Sequence, residues 1–167
     1  MIKTRYPVEK FLPADGNEPI AQQISSSLLK TVEDLVARFD GKDEAWASRK
    51  PAPDKWSAKE IIGHLLDSAA NNHQRFVRVQ YVAEKVFPGY EQMEWVSLQH
   101  HQERTWKELL EFWKAYNLHL AHVIRYIGPE YFKAVLTVGG GEPQTLEFVA
   151  TDYVGHVQHH IKQIEQR

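Results

Sequence analysis

Four stretches of this chain place apolar residues on one face at helical spacing, and that pattern restricts the fold more than any other feature. Ile20, Ile24, Leu28, Val32, Leu35 and Phe39 recur at steps of three or four residues. So do the inward positions Ile61, Leu65, Ser68, Asn72, Phe76 and Val79 of a second stretch. Trp106, Leu109, Trp113, Tyr116, Leu120, Ile124 and Ile127 mark a third, and Leu146, Val149, Tyr153, His156, His160 and Ile164 a fourth. A helix with a single apolar stripe must cover that stripe. Four of them cover one another as an all-α four-helix bundle.

The punctuation between stripes predicts the boundaries. Met1 to Ala14, with Pro7 and Pro13, reads as an extended arm. Asp15 or Asn17 is placed to cap the first helix, with Pro19 near its first turn, and Gly41 ends it. Lys42 to Lys55, with Pro51 and Pro53, reads as a loop. Ser57 to Glu60 is a capping box, and Trp56 is placed to fold back on Ile61. The second helix is expected to run to about Val86, before Pro88-Gly89, and a connection from Phe87 to about Val96 follows. The third helix is expected from about Ser97 to Tyr126, stopped by Gly128-Pro129. Tyr131 to Gln144 turns to β-branched residues and then Gly139-Gly140-Gly141, a short extended segment or loose hairpin before the last helix, which Thr145 caps. Residues 1–167 are expected to form one domain.

Two members of the last stripe are histidines one turn apart, His156 and His160, with apolar neighbours on both sides. At i, i+4 their rings lie side by side, and one helix can then offer two nitrogens to one metal ion. His159 is three residues from His156 but falls off the seam, so His156 and His160 are preferred. A third ligand is sought among the remaining histidines. His73, His100, His101, His119 and His122 lie off the stripes or in polar surroundings and read as solvated residues. His64 sits two turns inside the second helix, on the edge of its inward side, next to Gly63, which removes bulk there. Alone, such a residue reads as a hydrogen-bonded core histidine. Facing an inward pair across a bundle, it completes a three-histidine site.

Three neutral imidazoles and no carboxylate leave a divalent ion its charge and an open position, the composition of a catalytic site. Zinc is the default ion, with nickel as the other candidate, since imidazole suits several. Such an ion can lower the pKa of bound water toward about 7, polarise a substrate or hold an external thiolate. Asp67, Asn71, Asp152 and Gln163 lie within helical reach and could accept the second ring N–H of the ligands.

What the composition excludes is equally plain. There is no cysteine, hence no disulfide, no thiolate ligand and no cysteine nucleophile; a reducing cytoplasm fits. A net charge of −2 gives no reason to expect nucleic acid or an anionic membrane as partner. The N-terminal MIKTRYPVEKF holds no long apolar run, so no signal peptide is expected. Nor does any stretch approach the roughly 20 apolar residues of a membrane span.

In order along the chain stand Arg5-Tyr6-Pro7-Val8 with Phe11, Trp56-Ser57, and His64 leading to Asp67-Ser68-x-x-Asn71 and Arg75-Phe76. His156-x-x-His159-His160-x-x-x-Ile164 closes the series. With this set the sequence resembles the DinB/YfiT-like superfamily of metal-binding four-helix bundles, and within it the YfiT branch. The resemblance implies an up-down-down-up bundle, a metal held by one histidine of the second helix and an i, i+4 pair of the last (here His64, His156 and His160), and a homodimer. Gly63 departs from it, since close relatives often carry a further histidine there. The family is described as metal-dependent hydrolases, and some members join a low-molecular-weight thiol such as bacillithiol to an electrophile. Three functions follow as expectations. The first is thiol transfer to an electrophilic small molecule. The second is hydrolysis by metal-bound water, with Asp67 or His159 as base, and the third is a non-catalytic metal-binding bundle. Trp46, Trp95 and the Phe87–Val96 connection could line a pocket mouth or a dimer contact, with simple packing the plainer role.

Overall fold

Caps decide where the long helices begin. In the computed structural model, which describes residues 18–166, Ser57 Oγ accepts the Glu60 N–H at 3.2 Å while the Glu60 carboxylate accepts the Ser57 N–H at 2.7 Å. This capping box opens α3 (Ala58–Arg78). Thr105 and Glu108 form a second one, which opens α5 (Trp106–Arg125). Thr145 Oγ1 accepts the Phe148 N–H and opens α6 (Leu146–Glu165). The first helix, α1 (Ile20–Phe39), starts directly after Pro19 and turns out through Asp40 and Gly41. The proposed caps Asp15 and Asn17, and the N-terminal arm, lie outside the described residues.

These four helices form the bundle, and their side-chain pairings give its directions. Ser25 donates to the Ala121 carbonyl at one end of α1, and the Trp106 indole donates to the Phe39 carbonyl at the other, so α1 and α5 are antiparallel. Gln158 donates to Thr31, and Arg38 pairs with Glu165, so α1 and α6 run parallel. His64 meets His160 and Phe76 meets Tyr153, which makes α3 and α6 antiparallel. Lys59 reaches the Gln102 carbonyl just before α5, and His73 meets Tyr116, which makes α3 and α5 parallel. The order around the core is α1, α5, α3, α6, and the sense is up-down-down-up. Ile24, Leu28, Leu35, Leu65, Leu109, Trp113, Leu120 and Ile164, all on the expected stripes, are fully buried at its centre. Among the described residues no helix is long and apolar enough to cross a membrane.

A parallel pair needs a long connection, and the connections hold structure that periodicity did not predict. The second helix stops at Arg78 rather than near Val86. Val86–Phe87 (β1) instead pairs in parallel with Thr137 and Val138 of β2 (Val135–Val138), a partner some fifty residues away. β2 also pairs antiparallel with β3 (Gln144–Thr145), and the turn between them uses Gly139 and Gly140 at positive φ. The expected hairpin is therefore present, with β1 added as a third strand. The third long helix begins at Trp106, not Ser97. Ser97 belongs to a separate short helix, α4 (Gln92–Leu98), and His100, in the left-handed region at φ 51°, breaks the run between them. The loop expected over Lys42–Lys55 contains α2 (Glu44–Ser48), numbered in chain order, which Asp43 caps through the Trp46 N–H. Trp46 packs on Phe39 and Trp106, as a core-edge residue.

Candidate metal centre

His64, on α3, and His156 and His160, on α6, point into the same space between the two antiparallel helices. His156 Nε2 lies 3.2 Å from His64 Nε2 and 3.0 Å from His160 Nε2. One ligand atom from each of the three lies within 4.8 Å of the others. His64 and His160 are buried and His156 half-buried. Burial, followed by the neighbouring His160, pushes the His64 pKa down to about 4, so its imidazole is neutral at physiological pH.

The proton count shows what the cluster lacks. His160 Nδ1 donates to Gln163 Oε1 at 2.8 Å, which turns Nε2 toward the other two rings as an acceptor. His156 Nδ1 sits 3.3 Å from Ser68 Oγ. Both short contacts share His156 Nε2, which offers either one hydrogen or one lone pair, so at most one of the two can be a well-directed hydrogen bond. A divalent cation satisfies all three at once, and neutral imidazole is a donor suited to zinc and its neighbours. The donor set fits a metal.

The residues proposed to support the ligands divide. Gln163 does hold His160, and its Nε2 lies 3.0 Å from His159 Nε2. Asp67 does not face the trio in this way: its Oδ1 accepts from Gln99 Nε2 at 2.6 Å, and its Oδ2 is buried without a hydrogen bond. Burial raises its pKa, partly offset by Gln99. Asn71 Nδ2 turns back to the Asp67 carbonyl of its own helix. Asp152 lines the cavity described below, one turn before His156. His64 Nδ1 is buried with no hydrogen-bond partner. Trp56, expected to fold back on Ile61, sets its ring 5.1 Å from that of His64.

Two residues carry more than their sequence positions suggested. Ser68, on the inward stripe, partners His156, a role that the stripe alone does not predict and that its position one turn after His64 signals. His101, read as solvated, is 5% exposed, and both its ring nitrogens are buried without partners. Its ring lies where a Gly63 side chain would be, within 2.1–2.4 Å of an ideal Cβ. The missing bulk at Gly63 makes room for an imidazole brought in from the α4–α5 connection. His73 is half-buried, 3.2 Å from the Tyr116 hydroxyl, while His100, His119 and His122 are exposed as expected.

Two of the trio, His156 and His160, line a cavity of about 860 Å³ walled by α3, α6 and the small sheet, together with Ser68, Asp152 and His159. A second cavity of about 500 Å³ reaches His160 and Gln163 from the other side, between Trp56, Ile61 and Met93. His160 therefore belongs to both walls.

Comparison with known proteins agrees with this architecture. The structure is similar to that of YfiT from Bacillus subtilis, described as a probable metal-dependent hydrolase with an unusual four-helix bundle topology. The two share 19% sequence identity and a TM-score of 0.78, over 99% of this chain and 95% of the other. A search of curated proteins returns no significant match. The sequence matches the family model of the DinB superfamily over residues 27–164. From the second turn of α1 to the last turn of α6, this chain belongs to the DinB superfamily.

Proposed function

We propose that His64, His156 and His160 bind one divalent ion, zinc or nickel, and that the protein is a metal-dependent enzyme joining a low-molecular-weight thiol to an electrophilic small molecule. The observation that carries this reading is the convergence of three Nε2 atoms, with His156 Nε2 3.0–3.2 Å from the other two and at most one of those contacts able to be a hydrogen bond. Bound there, a divalent ion supplies Lewis acidity, which makes a thiol or a water more acidic at neutral pH. Ser68 and Gln163 hold two of the rings in place. Asp152 and His159, on the cavity wall, are placed to take up the proton that a thiol S–H or a water releases. Transfer between two reactants is favoured over hydrolysis by the space on both sides of His160. A cavity of about 860 Å³ is large for one small substrate, and a second, more apolar one adjoins it. With no cysteine in the chain, the thiol comes from outside.

Hydrolysis is the second reading. It is favoured by Asp152 standing one turn from His156 as a base, and by the description of YfiT as a probable metal-dependent hydrolase.

The deciding experiment starts with elemental analysis of tag-free protein, which should find close to one divalent ion per chain in wild type and none in His156→Ala. A panel of bacillithiol, glutathione, coenzyme A and cysteine is then offered with a generic bimane electrophile, with metal-stripped protein as control. Metal-dependent thiol consumption supports transfer. Ester or amide cleavage without thiol consumption moves the assignment to hydrolysis, and failure to bind metal removes both.

A further inference from the structure

The large cavity has a second chemical pole that the metal centre does not use. Ser68, Asn72 and Arg75 stand on one face of α3 at i, i+4 and i+7, and all three line the cavity. Seven residues of helix rise about 10 Å, so the Arg75 backbone lies about that far along the wall from Ser68, the partner of His156. One guanidinium N–H donates to Asn72 Oδ1 at 3.1 Å, and Asn72 is itself tied to the Ser68 carbonyl at 2.9 Å, so the fork is oriented from behind. Arg75 is half-buried, yet among the described residues it forms no ion pair. The side chain of Tyr90, on the same wall, is close enough to interact with it electrostatically. A guanidinium withdrawn from water without a carboxylate partner is costly unless something else supplies the negative charge.

We propose that Arg75 is a substrate anchor: it receives a carboxylate of the small molecule whose reacting atom lies at the histidine end, within about 10 Å along α3, since the guanidinium is drawn back toward Asn72. This rests on the reading of the histidine trio as the reacting end, and it adds a substrate class, an elongated acid. A planar carboxylate matches the free edge of the guanidinium bidentately. A phosphate dianion is the poorer match, because it concentrates two negative charges on one group beside Asp152 and Glu142, which line the same cavity, whereas a carboxylate brings one charge to the guanidinium.

The test reads the anchor without the metal. Metal-stripped, ¹⁵N-labelled protein is titrated with succinate, with inorganic phosphate and with neutral methyl acetate, following the arginine Nε–H signals in wild type and, for affinity in wild type and variants alike, the backbone amide signals of α3 around Asn72. One signal should move saturably with succinate and not with methyl acetate. Arg75→Met should abolish that response, and Arg75→Lys, which keeps the charge but not the fork, should weaken it about 10- to 100-fold. If Arg75→Met does not fold, as judged by circular dichroism, Arg75→Lys carries the test. No saturable shift in wild type, or an unchanged affinity in the variant, overturns the anchor; phosphate binding as tightly as succinate overturns the preference for carboxylates. In metal-loaded protein, KM for glutathione should lie about 10- to 100-fold below that for its dimethyl ester, and the gap should close in Arg75→Met. Failure of that arm alone, with succinate still bound at Arg75, points to the thiol reading rather than to the anchor.

Discussion

Replacing Gly63 by alanine should destabilise the protein, although the same change in most helix interiors stabilises it. An ideal Cβ at position 63 would sit 2.1 Å from His101 Cδ2 and 2.4 Å from Cγ and Nε2. Carbon atoms pack at about 3.5–4 Å, so the ring must retreat by about 1.5 Å. It is 5% exposed and has little room to do so. Overpacking of this kind costs about 1–3 kcal/mol, while alanine regains about 0.5–1 kcal/mol of helix propensity. The net loss lies between about 0 and 2.5 kcal/mol, toward the upper end for a displacement this large, or up to about 10 °C in Tm for a chain of this size. The informative measurement is a double-mutant cycle by urea and thermal unfolding of metal-stripped protein. In a His101→Ala background the obstacle is gone, and Gly63→Ala should become stabilising by about 0.5–1 kcal/mol. A change of sign is expected between the two backgrounds. If Gly63→Ala shifts stability equally in both, the ring does not occupy the glycine's space and the packing argument is refuted.

Three further outcomes are expected. The His64 pKa is depressed from its ordinary 6.5 to about 4, so the folded state binds fewer protons than the unfolded one. Stability present above pH 6.5 is then lost as pH falls toward 4, by about 3 kcal/mol in metal-stripped protein; urea midpoints across that range should trace the limb, and His64→Leu should flatten it. Tyr153→Phe leaves the buried Asn117 Oδ1, which accepts from the Tyr153 hydroxyl at 2.5 Å, without its donor; a loss of about 1–3 kcal/mol in chemical denaturation is expected, with metal content unchanged. Thr105→Ala removes the cap of α5 and should cost about 1 kcal/mol. Calorimetry of the metal-loaded protein would show whether that loss leaves metal binding intact.

How far the chain could be read depended on the range of the interactions involved. The bundle stripes and the His156–His160 pair depend on spacing within one helix, and they stand where periodicity put them. His64 stands out in the sequence because it lies on the edge of an inward side, beside Gly63, facing the His156–His160 pair across the bundle. Features that depend on distant pairing were missed. Val86–Phe87 continued an apolar pattern, and nothing local showed that Thr137 and Val138 would draw it into a sheet. The start of α5 was misplaced for a different reason. Thr105-x-x-Glu108 is as clear a capping box as Ser57-x-x-Glu60, but the run before it contains no glycine or proline, and the break falls on a histidine with positive φ. The burial of His101 could be read only backwards, from the unusual glycine it covers.

The three-stranded sheet has a consequence for how molecules enter and leave. It holds part of the rim of the large cavity with strands of two, four and two residues, and Val86 and Val135 stand exposed on it. So few backbone bonds, joining segments far apart in the chain, make this sheet the part of the cavity wall expected to open locally at a lower free-energy cost than the helices. Amide protons of Thr137 and Gly139, bonded to the Lys85 and Phe87 carbonyls, should accordingly exchange with solvent much faster than those in the middle of α3 and α6.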